Sequence, residues 1–159
     1  MNIFVLDYDT EKCAQYHCDK HVVKMILESA QLLSSAHQYH GYQEGYKMSK
    51  GHMNHPCSIW VRESIENYVW LFNLAQDLGF EYTYRYGKQH KSIEVIDSLP
   101  YPGVLPDKEL TKFAKAFGDY EHLKQIEDPV LAYREYYKLA KADIVAYNKG
   151  RDFPDWYLK

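Results

Sequence analysis

Apolar residues along this chain fall mostly at spacings of three and four, the period of helices with one buried face. The opening is different: Ile3-Phe4-Val5-Leu6 is a short unbroken apolar run that reads as an extended piece. Asp9 or Thr10 then offers a side-chain oxygen to free backbone N–H groups, which predicts a first helix over about residues 10–38. Val22, Met25, Ile26, Leu33 and Ala36 fall on its core side, while Cys13, His17, Lys20, His21, Lys24, Glu28 and Gln31 fall on the other. Gly41, Gly45 and Gly51 break the pattern and mark a loop.

His55-Pro56 opens a second helix, because proline at a first helical position gives up no N–H that the helix needs. Cys57, Val61, Ser64, Tyr68, Phe72 and Ala75 form its apolar stripe, and Gly79 is its predicted stop. A third helical stretch, over about residues 80–99, carries tyrosines and bases with Gly87 inside it. Pro100, Pro102 and Pro106 make a loop, and a short helix is predicted over about residues 110–117. In the last helix Asp128 caps, Pro129 sits in the first turn, and Val130, Tyr133, Tyr137, Ala140, Ile144 and Tyr147 continue the period. The aromatic tail Phe153-Pro154-Asp155-Trp156-Tyr157 is expected to dock on the body. The predicted fold class is mainly α: a compact single-domain multi-helix bundle with a short extended N-terminal segment.

Composition sharpens this picture. At 159 residues with 46% hydrophobic content the chain can build a real core, and one domain over residues 1–159 is expected. A net charge of −3 argues against coating nucleic acid by bulk charge. Three cysteines at irregular spacing make no disulfide framework, so a reduced, cytoplasmic setting is expected. No apolar run is long enough for a membrane span. The 16 tyrosines and 8 histidines are the unusual feature.

Four segments carry candidate chemistry. On the polar side of the first helix, His17, His21, Lys24 and Glu28 form one row, with Lys20 beside it. A base, an amine and a carboxylate so close can share protons, as acid–base catalysis requires; the same residues also read as an ordinary solvated face. Cys13, His17 and His21 have helical ligand spacing, but no Cys-x-x-Cys pair accompanies them, and no metal or other cofactor is expected. From Tyr82 to Ser92, Arg85, Lys88 and Lys91 occur with Tyr86 and His90 and no acid, a pattern suited to phosphates and stacked bases, or to a soluble helix with core tyrosines. Asn54 and His55, with Trp60 and Arg62, sit where a helix begins and anions are favoured. Arg134 on the last helix is a weaker addition.

These segments together resemble a family of small proteins common in bacterial viruses. The resemblance lies in His17-Cys18-Asp19-Lys20-His21-Val22-Val23-Lys24-Met25, Asn54-His55-Pro56 with Trp60, Arg85-Tyr86-Gly87-Lys88 with His90-Lys91-Ser92, and Asp128-Pro129-Val130 with Tyr133-Arg134. More distantly, Lys20, Lys24 and Glu28 followed by an Asn-His-Pro helix start and a Trp one turn on are similar to bacterial relatives of the pyrimidine-dimer DNA glycosylases, grouped with the phage endonuclease V type. That resemblance implies a small all-α enzyme that flips a damaged pyrimidine and attacks the sugar C1′ with an N-terminal amine to form an imine. It further implies Glu28 as the assisting carboxylate, with Lys20, Lys24, Arg85, Lys88 and Lys91 on phosphate. Asn2 disfavours removal of the initiator methionine, so the implied amine is that of Met1.

The leading expectation is therefore an enzyme acting on a pyrimidine base or nucleotide in DNA by glycosylase-like cleavage. Glu28, Lys24, His21 and His55 are its catalytic candidates, and Lys20, His17, Asn54, Trp60, Arg62, Arg85, Tyr86, Lys88, His90, Lys91 and Arg134 its substrate-binding candidates. The alternatives are a non-catalytic viral protein that binds a nucleotide or a host protein, and a DNA base-modification transferase.

Overall fold

The computed structural model of the chain describes residues 1–158 and is a bundle of helices, with no strand among the described residues. Its elements are α1 (Thr10–Tyr16), α2 (Asp19–Tyr39), α3 (Lys50–Met53), α4 (Pro56–Glu63), α5 (Ile65–Tyr86), α6 (Lys91–Ser98) and α7 (Pro129–Ala140), with 3₁₀ turns at Glu121–Gln125 and Asp155–Tyr157. The long helices α2 and α5 pack on each other, α1 lies on α5, and α4 and α6 pack on both. Ile26, Leu32, Leu33, Leu71, Leu74 and Leu78 are fully buried between α2 and α5 and around them. Among the described residues no helix is long and apolar enough to cross a membrane.

Local chemistry explains most of the boundaries. Asp9, His55 and Asp128 each accept a backbone N–H in the first turn of α1, α4 and α7, from Lys12, Cys57 and Val130 respectively. Gly87, at φ +73°, ends α5 in the left-handed conformation that glycine adopts without strain.

The predicted first helix is two. Its break at His17 and Cys18, both extended, is held by distant partners. The Cys18 N–H donates to the Tyr137 hydroxyl at 3.1 Å, and Arg85 donates to the carbonyls of Gln15 and His17 at 2.9 and 2.7 Å. The predicted second helix is likewise divided at Ser64, whose hydroxyl accepts from the Asn67 N–H to start α5. Helix α5 then runs past Gly79, where the missing side chain makes room for Ile93 of α6: a Cβ there would lie 2.7 Å from Ile93 Cδ1. The stretch around Gly87 is consequently a junction between α5 and α6.

Residues 110–117 form no helix. Their backbone groups bond to side chains of other elements instead: Thr111 N–H to Asn67, Ala116 N–H to the Tyr133 hydroxyl, and the Ala114 carbonyl to that same hydroxyl. Helix α7 ends at Ala140, leaving Ile144 and Tyr147 outside it. Tyr147 is nevertheless buried, its hydroxyl donating to the Tyr16 carbonyl, and Trp156 of the tail packs on Tyr16 and Tyr137.

The extended N-terminal piece threads the bundle. Ile3, Phe4, Val5 and Leu6 are at most 5% exposed. Burial of each such side chain contributes about 1.5–3 kcal/mol, so a chain end that would ordinarily fray is fixed in place. The Leu6 carbonyl accepts from Arg134 Nε, and the Phe4 carbonyl from the Cys13 thiol. That threading delivers the chain's first residue to α2.

Candidate active site

Helix α2 presents His21, Lys24 and Glu28 on one face, as their spacing requires. Glu28 is buried although charged, and three nitrogens surround its carboxylate. The Asn2 N–H donates to Oε1 at 3.0 Å, the Met1 α-amine lies 3.6 Å from the same oxygen, and Lys24 Nζ lies 3.7 Å from Oε2. The two ammonium groups compensate the carboxylate, and the Asn2 hydrogen bond fixes its orientation.

Asn2 is the anchor of this arrangement. Its side-chain amide donates to the Ala116 carbonyl at 2.8 Å, and its Oδ1 accepts from the Ile3 N–H and the Tyr133 hydroxyl at 2.8 and 2.9 Å. A buried side chain so fully bonded holds the terminal amine in one position against Glu28.

Two imidazoles flank the pair. His55 Nδ1 accepts from the Cys57 N–H at 3.1 Å, so the neutral ring carries its proton on Nε2. Burial, and then the positive N-terminus, lower the His55 pKa, while Glu28 raises it, which ties the ring electrostatically to both partners of the pair. His21 is stacked on Phe4 with centroids 4.5 Å apart, and its Nδ1 lies 2.7 Å from the Tyr137 hydroxyl. Burial foremost, then the positive neighbours including Lys141 and Lys24, push the His21 pKa down to about 3, so this ring is a neutral wall at neutral pH.

Met1, Asn2, Phe4, His21, Lys24, Met25, Glu28, Tyr136 and Lys141 line a cleft of about 120 Å³. That is room for about four water molecules, below the size of ordinary ligand pockets, so it suits a sugar edge or a phosphate and not a whole nucleotide. A larger groove of about 940 Å³ lies between residues 110–115 and 124–129. Many of its polar groups are already engaged: Asp128 with Tyr8, Lys115 with backbone carbonyls, and Lys124 with Glu121.

The other candidate residues lie apart from this cleft. His17 is fully buried, its Nδ1 at 2.7 Å from the Cys13 carbonyl, and burial pushes its pKa down to about 4. The break before α2 takes it out of the row it was expected to share. Arg85 is buried and wholly engaged, bonded to Glu81 at 2.7 Å, to Asp19 at 3.1 Å and to the two carbonyls that end α1. Its guanidinium faces the interior, and Arg151 completes the cluster by pairing with Glu81 at 2.7 Å. Trp60 is buried against Phe113 and Trp70; Arg62 donates to the Met53 carbonyl and covers the Tyr39 ring; Arg134 holds Leu6 and Asp7. Asn54 is exposed at the end of α3, next to His55.

The remaining candidates gather on the surface. Lys20, Lys88 and Lys91 are exposed; His90 reaches the Val23 carbonyl at 3.0 Å and the Tyr86 hydroxyl donates to the Asp19 carbonyl at 2.9 Å. Those two links dock the α5–α6 junction on the first turns of α2. Among the described residues no three His, Cys, Asp or Glu side chains are gathered as a metal ion would require.

Sequence reasoning did not single out Asn2, Phe4, Tyr136 or Lys141 for this cleft. No local signal marks them, because each reaches Glu28 through the tertiary fold alone.

The N-terminal amine is thus held against a buried glutamate in one small cleft. The family model described as "Pyrimidine dimer DNA glycosylase" matches residues 1–94, the part that contributes the amine, Glu28 and His55. The chain belongs to that family. Comparison with curated proteins and with solved structures found no match.

Proposed function

We propose that the protein is a DNA glycosylase that releases a damaged pyrimidine through attack of its α-amine on the sugar C1′. The observation that carries this reading is the Met1 amine, 3.6 Å from the Glu28 carboxylate in a cleft open to a small guest.

Glu28 takes the proton that the ammonium must lose. The nitrogen lone pair then bonds to C1′ as the glycosidic C–N bond breaks, and the departing base keeps that electron pair and takes up a proton. Once Glu28 has passed that proton to the departing base, its carboxylate, held in a site of low polarity, stabilises the cationic sugar. Glu28 then takes one of the two protons on the attached nitrogen, whose freed electron pair forms the C=N bond as the C1′–O4′ bond opens and O4′ takes up a proton, which gives the protonated imine. Water adding at C1′ later restores the amine. His55, with its proton on Nε2, is suited to donate to O4′, and Lys24 steadies the carboxylate. Lys20, Lys24, Lys88 and Lys91 supply phosphate contacts on the approach to the cleft.

Glu28→Gln tests this assignment, since it preserves shape and the Asn2 hydrogen bond but removes the proton acceptor. Cleavage of the glycosidic bond in duplex DNA carrying pyrimidine dimers should fall by about 10²–10⁴-fold under single-turnover conditions. Activity within threefold of the parent would end the assignment of Glu28.

A further inference from the structure

We propose that Lys141, which lies outside the family-matched residues 1–94, completes the Glu28 cleft as the residue that holds one DNA phosphodiester beside the attacked sugar. This rests on the reading of the cleft as the place where DNA is attacked, and adds to it a defined anionic subsite.

Charge is the first argument. Three amines, those of Met1, Lys24 and Lys141, face the cleft with one carboxylate, Glu28, among them. Glu28 is shared between Met1 and Lys24, whereas the Lys141 ammonium has no acidic partner and no hydrogen bond among the described residues. The imidazole of His21, also in the wall, adds no compensating negative charge. Three ammonium groups against one carboxylate make the cleft locally positive within a chain of net charge −3, which favours an anion there.

Geometry is the second. Lys141 caps the C-terminus of α7, and its ammonium stands 5.4 Å from the centre of the Tyr136 ring and 5.8 Å from that of Phe4. Those faces attract the cation and hold it at the cleft without neutralising it. Phe4 also carries the stacked His21, so the lysine, the aromatic floor and the α2 row are one packed unit. The opening of about 120 Å³ matches a phosphodiester or a sugar edge better than a base. Once the sugar enters against Met1 and Glu28, a phosphate bonded to it meets the one ammonium still lacking a counter-ion.

The test uses the full chain and two 20-base-pair duplexes, one with a single abasic site and one undamaged. Lys141→Met should weaken binding to the abasic duplex by about 5–10-fold at 0.1 M salt and lower the slope of log K against log salt by about one. On the undamaged duplex, where no sugar enters the cleft, affinity and slope should stay as in the parent. Lys141→Arg should restore most of the loss, and borohydride trapping of Lys141→Met at saturating abasic DNA should keep a rate within threefold of the parent, so that the defect lies in KM. Thermal unfolding of each variant checks that the fold is kept, and Lys141→Gln, equally neutral, should repeat the Lys141→Met result. Unchanged affinity and slope on the abasic duplex, or an equal loss on both duplexes, would overturn the proposal. Absence of any borohydride adduct with the parent protein refutes the imine reading instead, and the binding slopes still decide whether Lys141 meets a phosphate.

Discussion

Replacing Arg85 by methionine separates a surface phosphate contact from an internal tie. The side chain is fully buried and makes four bonds: to Glu81, to Asp19, and to the carbonyls of Gln15 and His17. Methionine fills similar space but leaves Asp19 without its cation and two helix-end carbonyls without a donor. Arg151 still pairs with Glu81, and Asp19 keeps the Asn148 N–H at 2.8 Å, so the loss is partial at each acid. Removing one partner from a buried ion pair costs about 3–5 kcal/mol, a large share of the 5–15 kcal/mol that stabilises a typical domain. For a chain of this length each kcal/mol moves the midpoint by about 2–4 °C, so Tm should fall by about 6–20 °C. Differential scanning calorimetry gives that number, and titration of duplex DNA well below the new midpoint should show the parent's salt slope. A variant as stable as the parent but with a lower salt slope would refute this reasoning and return Arg85 to the surface role its sequence context suggests.

Three further outcomes are expected. Burial lowers the pKa of His17 to about 4 and of His21 to about 3, so below about pH 6.5 the unfolded chain binds more protons than the folded one. Their contribution is complete above pH 6.5 and is lost as pH falls towards those values, by up to about 1.4 kcal/mol per pH unit for each ring; urea midpoints equal at pH 7 and pH 5 would contradict neutral burial. Phe4→Ala should destabilise by about 3–5 kcal/mol, because the ring carries His21 and contacts Tyr133, Tyr136 and Tyr137, and it should slow imine formation in molecules that remain folded. Urea unfolding and single-turnover trapping report the two effects, and parent-like values in both would show that the N-terminal segment is not held as described. Gly79→Ala should cost about 1–3 kcal/mol by forcing Ile93 away from α5, a loss that Gly79→Ala with Ile93→Val should partly recover in the same unfolding assay; stability equal to the parent would mean the two helices do not meet there.

What could be read from the sequence was local. The acids and the histidine that cap α1, α4 and α7 act within three residues of themselves, so their patterns survive without tertiary information. The face bearing His21, Lys24 and Glu28 follows from helical spacing in the same way. Ser64, whose hydroxyl starts α5, fell at helical spacing within the apolar stripe, and that stripe concealed the break. The interruption at His17 and Cys18 had no proline or glycine to mark it, because its partners, Arg85 and Tyr137, come from α5 and α7. Distance in sequence also hid the inward turn of Arg85. A basic residue among tyrosines reads as a nucleic-acid contact until Asp19 and Glu81 are seen around it. The cleft itself depends on Asn2 meeting residues 116 and 133, and on Lys141 arriving from the far end of the chain, neither of which any local spacing encodes.

Sodium borohydride reduction during reaction with a duplex carrying one pyrimidine dimer, followed by peptide mass spectrometry of the crosslinked protein, tests the central claim most directly. A sugar adduct on the α-amine of the N-terminal peptide, absent in Glu28→Gln, is the predicted result. An adduct on Lys24, Lys141 or any other side chain, or no adduct while the dimer's glycosidic bond is cut, would contradict it.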